Sequence, residues 1–212
     1  MTSLNDIPIG SIRESYDRLA EEYANHLFNE LQNKPFDRNL LERFAAGVSG
    51  QVCDMGCGPG HVARHLRDAG VTVSGLDLST QMLGQARQRN PDIRFREGNM
   101  LALDLEENTL AGITAFYATV NLPPESWPLV FREMERVLQP NGLLLLAFHI
   151  RGSGFSNPRE RIILPFLGFS PGENAPSCPI YPYIFRELDH SRTSRASPIR
   201  SHGSASGRCS CG

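Results

Sequence analysis

The chain has 212 residues, 40% hydrophobic and 21% charged, with 21 Lys+Arg set against 23 Asp+Glu, a balance that suits one globular domain with room for an appendage. No window approaches the roughly 18 apolar residues of a membrane helix, the opening MTSLNDIPIG lacks the basic-then-apolar order of a signal peptide, and a net charge of -2 gives no general pull towards nucleic acid or anionic membranes. Five unevenly placed cysteines are too few for a disulfide framework, so a reduced, cytoplasmic setting is expected.

From Ser11 to Leu31 the residues Ile12, Tyr16, Leu19, Tyr23, Leu27 and Leu31 recur three and four apart, which predicts an amphipathic helix whose stripe packs as a lid. After Pro35, FDRNLLERFAA predicts a second helix with Phe36, Leu40, Leu41 and Phe44 inward, ended near Gly47 and Gly50. From Gln51 the period changes. Short apolar runs (VCDM, VTVSGLD, IRFREG, AGITAFYA, GLLLLAFHI) alternate with helical patterns (HVARHLRDAG, STQMLGQARQRN, WPLVFREMERVLQP), the signature of right-handed βαβ units and a parallel sheet. Leu143 to Ile150 is almost wholly apolar, as expected for a strand covered on both faces.

Beyond Ile150 the composition shifts. Residues 1–150 carry 13 basic and 19 acidic side chains, whereas residues 151–212 carry 8 and 4, with seven prolines. The runs IILPFLGF and YPYIF are broken by Pro165, Pro171, Pro176, Pro179 and Pro182, so no strand is predicted there. The ending from Ser191 holds seven Ser, four Arg and one large aliphatic residue, Ile199, too little apolar surface to offset its ordering entropy. Three regions are expected: a domain over 1–150, an irregular Pro-rich segment over 151–190, and a disordered tail over 191–212.

The residues that carry chemistry follow the first predicted strand: Asp54-Met55-Gly56-Cys57-Gly58-Pro59-Gly60. Glycines let the chain turn sharply into the helix that begins near His61, and a helix N-terminus favours an anion there. The same turn also serves tight strand–helix packing alone. A dinucleotide-binding G-x-G-x-x-G counted from Gly56 needs glycine at 61, where His61 stands, so nicotinamide binding is disfavoured. Asp54 sits where a ligand's amine could be matched. Cys53 and Cys57 lack the two-residue gap and the second pair of a zinc or redox site, and no metal is expected.

With these motifs assembled, the sequence resembles the class I S-adenosylmethionine-dependent methyltransferases of the small-molecule type. DMGCGPG resembles that family's D-x-G-x-G-x-G loop, GLDLSTQML its acidic ribose segment, FREGNMLALDL its adenine segment, FREMERVLQPNGLLLLAF its helix-to-fifth-strand passage, and SYDRLAEEYA its N-terminal lid helix. The resemblance covers Ser11 to Ile150. It implies an α/β, Rossmann-like doubly wound sheet of strand order 3-2-1-4-5 with N-terminal helices, S-adenosyl-L-methionine as cofactor, and methyl transfer to a small-molecule acceptor. Members end the sheet with two antiparallel strands, and here that closing pair is expected to be missing or disrupted.

The resemblance also distributes roles. The cofactor's carboxylate is expected over Gly56, Gly58 and the following helix N-terminus, with Cys57 and Gly60 also among the cofactor-binding residues of the turn, its amine near Asp54 and the Gly56 carbonyl, and its ribose hydroxyls on Asp77, although an acid before Ser79 also reads as a capping neighbour. Leu78 and Met82 are expected on the adenine faces, with the Asn99 side chain and Met100 N–H at its edge; Asn99 stands where the family usually has Asp. Tyr16, Tyr23, Phe116 and Tyr117 are expected to wall the cleft, Tyr16 and Tyr23 reading equally as core. Methyl transfer is mainly alignment, and no catalytic residue is assigned. Asn121 cannot act as a base, while His149 is a candidate base that reads more readily as a packed residue.

Two alternatives stand beside the enzyme reading. One is a truncated or frame-disrupted methyltransferase-like domain with weak or no activity, the frame changing near Arg151. The other is the disfavoured NAD-binding oxidoreductase. With one lysine, Lys34, and no basic stripe, no specific nucleic-acid or membrane partner is expected; the oligomeric state and the acceptor are left open.

Overall fold

Strands that alternate with helices must cover both faces of one sheet, and the computed structural model, which describes residues 9–149, 161–164 and 186–187, has that form. In chain order come α1 (Ile9–Leu27), a 3-10 turn (Glu30–Asn33), α2 (Pro35–Gly47), β1 (Gln51–Met55), α3 (His61–Asp68), β2 (Thr72–Asp77), α4 (Thr80–Arg89), β3 (Arg94–Glu97), β4 (Leu110–Phe116), two 3-10 turns (Thr119–Asn121 and Pro124–Ser126), α5 (Trp127–Val137), β5 (Leu138–His149), β6 (Arg161–Leu164) and β7 (Arg186–Glu187). The sheet order is β3-β2-β1-β4-β5-β6-β7. The first five strands are parallel in the expected order 3-2-1-4-5, and the order reverses beside β1, so a crevice opens at the carboxyl ends of β1 and β4.

Strand alternation divides the core in two. Val52, Val73, Phe95, Leu145 and Ala147 face α2, α3 and α4, while Cys53, Met55, Ile113, Ala115, Leu144 and Leu146 face α5. Local chemistry sets the helix ends. Ser79 caps α4 by accepting the Met82 N–H at 3.1 Å, Pro35 and Pro128 stand in the first turns of α2 and α5, and left-handed Gly60 opens α3.

Four expectations are corrected. The first concerns α1, which stops at Leu27, with Leu31 buried in the following 3-10 turn; its buried side chains are Ala20 and Ala24, and Leu19 is 50% exposed. Small alanines, rather than the larger stripe, let α1 approach α4. Phe36 is exposed, unlike Leu40, Leu41 and Phe44, because it lies in the first turn of α2, clear of the sheet. β5 begins at Leu138, not Leu143. The intervening turn is absorbed as an irregularity in the β4–β5 register, with Asn141 at φ 65°.

The fourth correction concerns the closing pair. It is present in curtailed form: β6 runs antiparallel to β5 from Leu146↔Leu164 to His149↔Arg161, and β7 pairs with β6 over two residues. The β-branched run Arg161-Ile162-Ile163-Leu164 suits a strand, and Pro165, with no N–H to give a ladder, follows it directly. The β5 edge is therefore covered from Leu146 to His149, where a bare edge was expected. Apart from these two strands, the regions assigned as irregular (151–190) and disordered (191–212) lie outside the described residues.

Met134 on α5 is fully buried against the sheet. Met134→Ala should lower unfolding stability by about 2–5 kcal/mol, read by urea denaturation; a loss near zero would show that α5 repacks over the gap.

Candidate active site

Where β1 ends, the chain must reverse into α3 without losing its backbone hydrogen bonds. Gly56, Gly58 and Gly60 all have positive φ (69°, 51° and 82°), conformations that side chains rarely adopt. The N–H groups of Gly56 and Cys57 donate to the Leu76 carbonyl at 2.7 and 3.1 Å, and that of Gly60 to the Cys57 carbonyl at 2.9 Å. The Gly58 N–H donates to Asp77 Oδ2 at 2.8 Å, while Asp77 Oδ1 accepts the Ser79 N–H at 2.9 Å. Burial pushes the Asp77 carboxyl up, against the pull of these N–H groups. The glycines are not equivalent. A Cβ on Gly56 would lie 2.4 Å from Ala118 Cβ and one on Gly60 2.8 Å from Phe95, but on Gly58 it would meet only Tyr23, at 3.9 Å. Gly58 therefore faces open space.

That space is a cleft with about 790 Å³ of empty volume, its mouth included. Of the predicted residues, Gly56, Cys57, Gly58, Asp77, Leu78, Met82, Asn99, Met100, Tyr16, Tyr23 and Phe116 line it, as does Tyr117. Tyr16 and Tyr23 meet edge to face at 6.0 Å, as do Phe116 and Tyr117 at 6.2 Å. Burial pushes the Tyr23 hydroxyl up to about 12. Asn99 Oδ1 accepts the Leu101 N–H at 3.0 Å, which orients the side chain and leaves one lone pair and the amide N–H groups for a ligand.

Two predicted residues do not line the cleft. Gly60 is packed beneath the turn against Asn90 and Phe95. Asp54 is also beneath it and 1% exposed; its Oδ1 accepts from Thr114 Oγ1 at 2.9 Å, and its Oδ2 has no hydrogen-bond partner. Burial pushes its carboxyl up to about 6. The cause is the alternation of β1, which turns Asp54 inward, while the turn above it faces the cleft. Likewise, the N–H groups of Gly56, Cys57 and Gly58 expected for a carboxylate already have protein acceptors. The two thiols are free, with burial pushing Cys53 up to about 12 and Cys57 well above its usual value; among the described residues no His/Cys/Asp/Glu group could hold a metal. His149 ends β5 opposite Arg161, but its side chain lies outside the described residues.

Sequence reading missed His61, Ile9, Ile12 and Leu122 on the cleft wall, and Glu30 behind His61. His61 Nε2 is 3.1 Å from Glu30 Oε1, and Lys34 Nζ is 2.6 Å from Glu30 Oε2. Burial opposes the charge on Glu30, but the bonds from His61 and Lys34 outweigh it and hold the carboxyl down at about 2. The visible signal was the position of His61 directly after the glycine turn; Glu30, about 30 residues earlier, carried none.

The residues present fit a sulfonium amino acid nucleoside. An orphaned buried carboxylate oxygen, an acid at the end of β2 and apolar Leu78, Met82 and Met100 offer matches to its cationic, hydroxylated and aromatic parts, and Gly58 leaves room beside the turn for its carboxylate. Residues 52–142 match the methyltransferase domain family. Over 146 residues the chain is 35% identical to malonyl-[acyl-carrier protein] O-methyltransferase of Pectobacterium atrosepticum, covering 68% of this chain and 54% of that protein. It is 30% identical to demethylmenaquinone methyltransferase of Renibacterium salmoninarum over 62% of this chain and 56% of that one. Among solved structures, the PH0226 protein from Pyrococcus horikoshii OT3 superposes with TM-score 0.50 and 26% identity, over 59% of this chain and 66% of the other. The fold and the turn define a doubly wound, Rossmann-like α/β domain. Within it, residues 52–142 are similar to methyltransferase domains, a similarity that supports S-adenosylmethionine as the cofactor. The chain spans about half the length of the curated relatives it matches, and no described helix is long and apolar enough to cross a membrane.

The orphaned Asp54 oxygen makes stability depend on pH. Its folded value, about 6, lies above the usual 3.8, so its contribution is fully present below the lower value and is lost as pH rises through the higher one. Asp54→Asn should remove a stability loss on the order of 3 kcal/mol between about pH 4 and 7. Urea unfolding of both proteins across that range checks it; an equal difference at every pH would argue against it.

Proposed function

We propose that this chain transfers the methyl group of S-adenosylmethionine to a small-molecule acceptor by direct displacement. The observation that carries the proposal is the bond from the Gly58 N–H to Asp77, which sets a glycine open to the cleft beside an acid at the end of the neighbouring strand. When bound, the cofactor supplies a methyl group already activated by positive sulfur. What remains for the protein is alignment and exclusion of water. Asp77 keeps lone pairs for ribose hydroxyls on oxygens already oriented by two backbone N–H groups. Asp54 Oδ2 answers the cofactor's ammonium from beneath the turn, directly or through a water. Leu78, Met82 and Met100 take the adenine, with Asn99 at its edge, and Tyr16, Tyr23 and Phe116 close the cleft.

The relatives named above act on an acyl-carrier-bound malonyl group and on demethylmenaquinone, and a further one from Streptomyces fradiae on an amino sugar nucleotide, which supports a small or carrier-borne acceptor. Buried free thiols at Cys53 and Cys57 support a reducing, cytoplasmic setting. A second reading, a methyltransferase-like domain with weak or no activity, is favoured by the curtailed β6–β7 pair. An NAD-binding oxidoreductase is disfavoured by Gly60, one residue early for that fingerprint.

Calorimetry with S-adenosylmethionine and with NAD separates these readings: the first alone should bind, neither would bind to a degenerate domain, and preference for NAD would overturn the assignment. Asp77→Ala should weaken S-adenosylmethionine binding at least about tenfold, about 1.4 kcal/mol. Unchanged affinity in folded protein would remove Asp77 from the ribose site.

A further inference from the structure

Methyl transfer to an oxygen or nitrogen that carries hydrogen releases a proton. Of the two sequence candidates, Asn121 is not basic, and the side chain of His149 lies outside the described residues. Among the described residues, the ionisable side chains on the cleft are Tyr16, Tyr23, Cys57, His61, Asp77 and Tyr117. Tyr23 and Cys57 hold their protons tightly, and both Asp77 oxygens accept backbone N–H groups.

His61 is differently placed. Its Nε2 lies 3.1 Å from Glu30 Oε1, and a carboxylate there makes Nε2 the ring's donor and leaves the lone pair on Nδ1. Nδ1 is buried and has no hydrogen-bond partner. A carboxylate on one imidazole nitrogen and a free lone pair on the other is the arrangement that orients a general base.

The support behind Glu30 is continuous. Lys34 Nζ lies 2.6 Å from Glu30 Oε2, 4.0 Å from Asp37 Oδ2 and 5.2 Å from the centre of the Tyr117 ring, and Tyr117 Oη donates to fully buried Asp37 at 3.5 Å. Tyr117 is held at φ 54°, a conformation costly for an aromatic residue and typical of functional sites. The polar chain thus begins at His61 and ends at Tyr117, both on the cleft wall. The charged and titratable groups around His61 are Glu30 and, through it, Lys34 from the 3-10 turn, Asp54 from β1, Tyr23 from α1 beside Glu30, and Asp77 from β2.

We infer that His61 is the proton acceptor of the cleft, positioned by Glu30, and that the site suits a methyl acceptor still carrying hydrogen on its reacting atom, a hydroxyl, quinol or amine, rather than a carboxylate. The inference rests on the methyl-transfer reading above. The proton passes from the acceptor's O–H or N–H to Nδ1. The electron pair on that oxygen or nitrogen forms the bond to the methyl carbon, and the carbon–sulfur pair returns to sulfur, which departs as a neutral thioether.

Two measurements test this. In the full chain labelled with 15N-histidine and saturated with S-adenosylmethionine, His61 should carry its proton on Nε2, and Glu30→Gln should abolish that preference. A proton on Nδ1, or a tautomer indifferent to Glu30, would overturn the inference. With methyl-labelled S-adenosylmethionine, a 1,4-naphthoquinol probe is compared with malonyl-coenzyme A as carboxylate probe. His61→Gln should lower quinol turnover by about a hundredfold or more and flatten the acid side of its pH profile, with calorimetric affinity for S-adenosylmethionine unchanged; imidazole should restore part of the rate to His61→Gly. Full quinol turnover in His61→Gln, loss of cofactor affinity instead of rate, or wild-type methylation of malonyl-coenzyme A alone would each overturn it. If neither probe is methylated, the tautomer result decides. A wild-type chain that fails to bind S-adenosylmethionine would instead strike the methyl-transfer reading.

Discussion

The hydrogen bond from the Gly58 N–H to the Asp77 carboxylate ties the turn after β1 to the end of β2, and the geometry of the cleft depends on it. Parallel pairing brings Met55 beside Leu76, and the next backbone donors reach across to Leu76 and Asp77 in turn. Each link constrains the following one: the Asp77 oxygen that receives Gly58 has its twin on the Ser79 N–H, and Ser79 then caps α4. A turn and a helix start that belong to different strands are therefore placed by one carboxylate. Asp77 is structural and available to a ligand at once, because each oxygen has a second lone pair.

Burial at this point is costly, and the cost is unevenly met. Asp77 is compensated by two backbone donors, and Glu30 by His61 and Lys34. Asp54 is compensated on one oxygen only, and a buried polar atom without a partner costs about 1–3 kcal/mol. A fold optimised for stability alone would fill that place with an apolar residue or a second donor. The orphaned oxygen beneath a turn whose glycine faces open space is the local inconsistency expected of a site that meets its partner only when a ligand is present.

Sequence pattern reached the parallel sheet because that rests on local signals, a period change at Gln51 and short apolar runs alternating with helices; the strand order and most of the cleft residues came through the family resemblance of the turn and the segments after it. It failed where the deciding neighbour is distant in sequence. Asp54 was expected on the cleft, but strand alternation sets it beneath the turn rather than on the wall. The stripe Tyr16, Leu19, Tyr23 looked like one buried face; packing on α4 instead buries Ala20 and Ala24 and lets the tyrosines line the cleft. Glu30 and His61 meet only once the first helices fold back over the turn, so no window of sequence holds both. The closing strands were missed because β6 and β7 are four and two residues long, shorter than a periodicity can declare.

α1 forms one wall of the cleft. Beside buried Ala20 and Ala24 and half-buried Ile12, Tyr16 and Tyr23, it is held to the sheet domain by polar contacts: Asp17 with the Ser79 hydroxyl at 2.6 Å and the Gln81 N–H at 3.1 Å, Arg89 with Asn25 at 2.7 Å, and Arg13 with Glu97 at 3.0 Å. The Arg13 pair is substantially exposed on both sides, and exposed pairs contribute little. α1 brings Tyr16 and Tyr23 to the cleft through contacts separate from the bonds that join Gly56, Cys57 and Gly58 to β2. Among the described residues, the segment after α1 is linked to the start of α3, directly after the turn, by Glu30 with His61, the pair that most directly couples the cleft wall to its proton chemistry.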